Sequence, residues 1–258
     1  VGTALSQIGF LGRRSVLRVL RQPAAVAPLI LFPLLLLTVT SAGLKAATRL
    51  PGFPAPTYLA FALAGAFVQG AMVAGLHSGA DLAVDIESGF LNRLSLTPMR
   101  RSALILGQMV GSMALGLVQG LVYLSFGLLL GVHIASGIGG VALILAGALI
   151  VSVVFSSLGA FLAARTGSSE AVQGMFPLLF VFLTFSSFFL PRNLITVHWF
   201  RTVATYNPLT YLIEALRSLV VNGFRLRQLS LGFGLGIGMA FVFVTAAGAA
   251  LRSRLARA

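Results

Sequence analysis

TYLAFALAGAFVQGAMVAGLH, residues 57–77, runs without a single Asp, Glu, Lys or Arg. About 20 apolar residues in a helix cross the hydrocarbon core of a bilayer, so this stretch is the length and composition of a transmembrane span. Comparable runs lie near 24–43, 102–131, 138–163, 171–190 and 229–250, giving an expectation of six spans. The third and fourth exceed the minimum and should tilt or project from the bilayer. Apolar residues make up 58% of the chain and charged residues 9%, with a mean hydropathy of +1.00. A soluble domain carries about a quarter of its residues charged, so the surface that water would require is missing. The fold class read from these runs is an all-α integral membrane protein.

Orientation follows from arginine. Arg13, Arg14, Arg18 and Arg21 precede the first span, Arg93, Arg100 and Arg101 lie between the second and third, and Arg252, Arg254 and Arg257 follow the last. The positive-inside rule groups these three regions in the cytoplasm and puts both termini there. The segment 191–227 breaks the rule with Arg192, Arg201, Arg217, Arg225 and Arg227. The net charge of +13 arises from arginines set between apolar runs rather than along one polar face, so it argues against nucleic acid as a partner. The first apolar run follows a basic segment and lacks a small-residue cleavage site, so it reads as a retained span rather than a signal peptide. The near-total preference for Arg over Lys hints at a GC-rich bacterial genome, and the plasma (inner) membrane is the expected location.

Two flanking elements depart from simple spans. On a wheel of 100° per residue, Gln7, Arg14, Arg18 and Arg21 share one face of residues 4–21 and Leu5, Ile8, Val16, Val19 and Leu20 the other. That pattern predicts an interfacial helix with arginines toward anionic headgroups. Pro208 to Val221 is apolar but too short to span, which suggests a re-entrant element within 191–227. Glu214 and Arg217, three apart on one helical face, can pair there. Gly116, Gly120, Gly127 and Gly131 form a stripe in the third span, and Gly232, Gly234, Gly236 and Gly238 thin the last, as at close helix contacts.

Chemistry is sparse. Lys45 is the only lysine, and its context Gly43-Leu44-Lys45-Ala46 is not a phosphate-binding loop, which excludes ATP hydrolysis by a Walker mechanism. Cys is absent, and His77, His133 and His198 are scattered, so neither a metal site nor a catalytic constellation emerges. An ion-coupled carrier usually sets carboxylates inside its spans; Asp81, Asp85, Glu87 and Glu170 instead fall in the expected cytoplasmic loops, with Glu214 alone on the other side. Leu82, Ile86 and Phe90 make an apolar stripe beside those acids. A short amphipathic helix over 81–98, ended by Pro98, is therefore expected across the cytoplasmic end of the bundle, where a partner can push on it.

The run Asp85-Ile-Glu87-Ser-Gly89-Phe90-Leu-Asn-Arg93-Leu94, followed by Thr97-Pro98-Met-Arg100-Arg101, together with Asn207-Pro208-Leu-Thr-Tyr211 and Glu214-Ala-Leu-Arg217, resembles the ABC-2 type permeases of ABC exporters, in particular the daunorubicin-resistance group. The likeness extends over nearly the whole chain as one transmembrane domain. Ile86 stands where the family's acidic-basic pair usually has Arg, which bears on how the loop is held. The resemblance implies an export subunit that pairs with a second identical or related permease and docks ABC ATPase subunits, which bind the ATP and Mg. It implies that 81–98, with Asp81 and Asp85 through Arg101, forms the coupling helix. It further implies that Pro191, Asn207, Pro208, Tyr211, Glu214 and Arg217 belong to an outer gate. The second and fifth spans would border the path, with Gln69, Met72, Phe180, Phe185 and Phe188 as candidates, although Phe facing lipid fits as well. Such a path suits a hydrophobic drug, a lipid or a lipid-linked glycan.

Overall fold

The computed structural model describes residues 4–90 and 101–255, and the regular elements among them are helical. In chain order they are α1 (Ala4–Arg21), α2 (Pro23–Gly43), α3 (Tyr58–Glu87), α4 (Arg101–Leu129), α5 (Gly137–Thr166), α6 (Ser169–Gln173), α7 (Met175–Thr184), α8 (His198–Tyr206), α9 (Pro208–Val221) and α10 (Leu226–Leu255). Five of them, α2, α3, α4, α5 and α10, are long and apolar enough to cross a membrane. The fifth span anticipated over 171–190 is not one helix. The chain breaks at Gly174, α7 ends at Thr184, and 185–191 continues in turns.

Helix α3 is the pillar. It is buried along nearly all of its length, whereas α2 and α10 show their apolar side chains outward: Leu31, Leu35 and Val39 on α2, Ile237, Phe241 and Val242 on α10. A helix that is apolar all round belongs at the centre of a membrane bundle, and one with exposed Leu and Phe belongs beside lipid. Lipid tails are as apolar as leucine, so helices in a bilayer associate through close packing rather than through escape from water. Here α3 and α5 meet at glycines. A Cβ on Gly79 would stand 2.5 Å from the Cα of Gly159, and one on Gly75 would stand 2.6 Å from the backbone nitrogen of Ser156. The stripe read in the third span serves two neighbours instead of one. Gly116 and Gly120 face α5, Gly127 faces Leu63 of α3, and Gly131 lies beyond the helix in a turn with φ +84°.

Polar side chains repair backbone that the helices leave unpaired. Pro33 inside α2 has no N–H, which strands the carbonyl of Leu29. Gln119 of α4 donates to that carbonyl at 3.0 Å, and Tyr123 donates to the next one, Ile30, at 3.3 Å. Gln108 does similar work near the other end of α4, donating to the Ser78 carbonyl of α3 at 2.7 Å and accepting from Ser15 of α1 at 3.3 Å. Helix α1 lies against α4, with Gly107 meeting Leu11, Gly111 meeting Ser15 and Gly12 meeting Val110. Its packing partner is thus protein, not only the lipid surface anticipated for its apolar side.

Because Gly79 opposes backbone, Gly79→Leu is expected to weaken the fold by about 1–3 kcal/mol through overpacking. Gly234→Leu, where an added Cβ meets nothing within 4 Å, should leave the thermal midpoint in detergent near that of the native chain. Equal midpoints for the two variants would show that the α3–α5 approach carries no packing energy.

Candidate functional site

At the end of the bundle where α1 lies, the long helix α3 runs on to Glu87 and absorbs residues 81–87 of the coupling segment. Leu82 is buried and Ile86 half-buried inside the bundle, so the apolar stripe packs inward rather than across the end. Gly89, at φ +67°, supplies the left-handed turn that stops α3. The aspartates pair with arginines of α1. Asp85, 5% exposed, accepts two hydrogen bonds of 2.9 Å from Arg14 and one of 3.0 Å from Arg18, and Arg18 reaches Asp81 at 3.3 Å. Arg14 also lies over the ring of Phe90, 4.3 Å from its centroid. The arginine face of α1 therefore meets carboxylates rather than headgroups. Burial disfavours the Arg18 charge, but Asp81 and Asp85 outweigh that and raise its pKa above the ordinary value. Glu87 remains exposed and accepts a 2.7 Å hydrogen bond from the Ser169 amide at the start of α6. Arg254 of α10 donates to the Ala164 carbonyl at the end of α5, so the last helix finishes at this same end. Arg101 opens α4, while Arg93, Leu94, Thr97, Pro98 and Arg100 lie outside the described residues.

At the opposite end, α8 and α9 form a helical hairpin with its tip at Asn207–Pro208. Leu216 meets Gly147 and Leu212 meets Gly236, whereas the carbonyls of Leu219 and Val220 accept from Ser136 and Ala135 in the α4–α5 turn. The tip of the hairpin is thereby the part deepest in the bundle. It stands beside the end of α7, where the non-helical run 185–189 climbs along α3. Exposed carbonyls at that depth need donors. Asn207 donates from Nδ2 to Phe182 and Phe185 at 2.7 and 3.1 Å while its Oδ1 caps α9 at the Leu209 amide. Thr210 accepts from the Ser187 amide at 3.3 Å and donates to Ala204 at 2.6 Å. Tyr58 donates to Phe189 at 2.8 Å. Arg217, 4% exposed, donates from Nη2 to the Ser187 carbonyl at 2.7 Å and from Nε to the Phe61 carbonyl at 3.1 Å, with its guanidinium 3.6 Å from the Phe61 ring centroid.

Glu214 does not pair with Arg217. Its carboxylate takes a two-pronged contact from Arg192, 2.7 Å from Nε and 2.6 Å from Nη2. Arg192 also lies 5.0 Å from the centroid of the Tyr211 ring, and Tyr211 donates to the Thr205 carbonyl at 2.9 Å. Burial works against the Arg192 charge, and Glu214 more than offsets it, so its pKa is raised. Pro191 is buried and begins the turn that delivers Arg192. Arg192 and Glu214 are 22 positions apart, a separation no helical spacing could have flagged; the short apolar run from Pro208 to Val221 was the local signal for α9.

The candidate path residues are packed by different neighbours. Gln69 and Met72 are wholly enclosed, and Phe188 packs on Gly65 of α3. Phe180 stacks with Phe176 and Phe32, which joins α7 to α2, and Phe185 packs edge-on against Trp199 and Phe200 of α8. Gln69 is conspicuous because neither atom of its amide has a hydrogen-bond partner.

Asn207→Ala removes the donor to two carbonyls and the cap of α9 together. A loss of about 2–4 kcal/mol is expected from unpaired buried acceptors and the missing cap. Asn207→Asp, which keeps the cap and loses the donor, should fall between the two; thermal midpoints in detergent read the order, and an Asp variant as stable as Asn would refute the role of the donor.

The ABC-2 type transporter family profile matches residues 6–221. Among curated proteins, a daunorubicin resistance ABC transporter permease protein of Streptomyces coeruleorubidus is 28% identical over 172 residues, 63% of this chain. The matched region spans 58% of that relative's own length. With the family profile extending from α1 through the end of α9, over a bundle of long apolar helices, the chain is a multi-pass membrane protein and belongs to the ABC-2 type transporter family.

Proposed function

We propose that this chain is the permease of an exporter, moving a hydrophobic or amphipathic substrate outward when separate ABC ATPase subunits press on the segment after Glu87. Permeases of the family work with such ATPases. The observation that supports the reading is the continuity of α3. It carries Asp85 and Glu87 at one end and, near the other, Phe61, whose carbonyl and ring hold Arg217 of the hairpin. At 1.5 Å per residue, Phe61 and Asp85 are about 36 Å apart along one unbroken helix. A push at one end therefore moves a rigid rod that touches the hairpin at the other.

In this proposal both termini are cytoplasmic, the membrane is the bacterial plasma membrane, and a second permease subunit completes the path. The clasp of Arg14 and Arg18 on Asp85 makes α1 and α3 move together. The hairpin α8–α9 is a re-entrant outer gate, latched by Arg192 on Glu214. In this reading the amide of Gln69, enclosed and unpaired, meets a polar group of the passing substrate once the bundle opens. A drug, a lipid or a lipid-linked glycan each offers such a group on an apolar body.

Reconstituted with its ATPase partner, the Asp85→Asn chain is expected to lose several-fold in transport-coupled ATP hydrolysis, because α1 and α3 are no longer held in one geometry. The swap Arg14→Asp with Asp85→Arg should recover part of it. Uphill transport by the chain alone in liposomes, driven by an ion gradient, would refute the proposal. Gln69→Leu removes an unsatisfied buried amide without changing the size of the side chain much, so stability should rise by about 1–2 kcal/mol while transport falls. A destabilised Leu variant, or one with unaltered transport, would show that Gln69 is structural.

A further inference from the structure

Two of the arginines of 191–227 that violate the positive-inside rule, Arg192 and Arg227, line a cavity of about 630 Å³ between the hairpin and the start of α10, together with Gln228, Tyr206, Tyr211 and Leu235. A second hollow of about 280 Å³ adjoins it through Arg192, Glu214 and Gln228 and adds Arg217. We propose that this cavity is a binding site for an anionic amphiphile, with a phosphate head on Arg227 and a hydrocarbon tail along α10.

Charge argues for the head. Glu214, the carboxylate of both hollows, is already neutralised by the two-pronged contact with Arg192. Among the described residues no carboxylate lies within ion-pair distance of Arg227, which is exposed beside Gln228 at the start of α10. An anion entering there meets a guanidinium with open donors and a neighbouring amide that hydrogen-bond to phosphate oxygens. A volume of this order fits a small amphiphile's head and the first part of its chain.

The surface of α10 argues for the tail. Leu231 and Leu235 line the cavity and are exposed, and Val242 continues the same helical face. Gly238 falls between Leu235 and Val242 on that face, and a Cβ there would meet nothing within 4 Å. Leucines flanking a bare glycine make a shallow apolar trough leading from the cavity along a helix whose side chains are outward-facing. A free anion would have no use for the trough, and an uncharged lipid no use for Arg227. The site accounts for an arginine-rich segment at the end of the bundle opposite α1, because headgroup phosphates reward cations at either membrane surface. Occupancy bridges α10 to the hairpin through Arg227 on one side and Tyr206 and Tyr211 on the other. The inference does not depend on which way the substrate is carried, and its readout is binding rather than transport.

Trp199, the single tryptophan, lies in the hairpin and reports on it. In a neutral detergent, dihexanoyl phosphatidylglycerol below its micelle-forming concentration should raise the unfolding midpoint followed by Trp199 fluorescence. Dihexanoyl phosphatidylcholine and inorganic phosphate at the same concentration and ionic strength should do so far less. Arg227→Gln should weaken the phosphatidylglycerol response about tenfold in apparent affinity while leaving the unliganded midpoint unchanged, and Arg227→Lys should restore most of it. Leu235→Asn should weaken it through the tail. An equal response to phosphatidylcholine would overturn the claim for an anionic head, an equal response to inorganic phosphate the claim for an amphiphile, and an unaltered response in Arg227→Gln the site itself.

Discussion

A carbonyl group inside a bilayer must find a donor within the protein, and that requirement governs the outer half of this molecule. Helix α7 stops at Thr184, partway along its neighbours, and the chain continues as non-helical backbone. Four acceptors there are met by side chains from elsewhere: Asn207 for Phe182 and Phe185, Arg217 for Ser187, Tyr58 for Phe189. The donors come from α3, from α9 and from the tip between α8 and α9. The break in the helix, the depth of the hairpin and the seating of the pillar are thus one solution to a single accounting problem. Arg217 illustrates it well. Its charge has no carboxylate within reach among the described residues, and it is held by two carbonyls and an aromatic face.

The inner half is held by different means. Glycines let α3 approach α5 and let α1 approach α4, and Gln108 ties α1, α3 and α4 in one hydrogen-bonded layer. Over this layer the Arg14, Arg18, Asp81 and Asp85 group fixes α1 to α3. Half-exposed ion pairs contribute little to stability by themselves, and their larger effect is to set geometry. Placing Asp81 and Asp85 under arginines of the same chain leaves Glu87 as the exposed carboxylate at the end of α3, where it accepts from the Ser169 amide.

Family membership adds direction to this architecture without replacing it. The profile match runs from α1 to the end of α9, so the elements that share the clasp and those that share the hairpin both fall within it. A continuous α3, tied to α1 at one end and to Arg217 near the other, joins the two groups of contacts, and the enclosed polar amide of Gln69 lies on the same helix.

The class of protein was legible in the order of residues, because hydropathy over some 20 positions reports the solvent directly. So were the boundaries of α9, set by Asn207-Pro208, and the family, set by the short motifs around Asp85 and Asn207. Local spacing misled where partners are remote. It paired Glu214 with Arg217, although Arg192 holds the first and backbone carbonyls the second; it could not show the break at Gly174 within 171–190; and it missed that Arg14 and Arg18 of α1 reach Asp85. In each case periodicity within one helix cannot know what stands opposite. Apolar content and helix ends are properties of neighbours along the chain and can be read from it, whereas the partner of a buried charge or an unpaired carbonyl is fixed only when helices far apart in sequence are packed side by side.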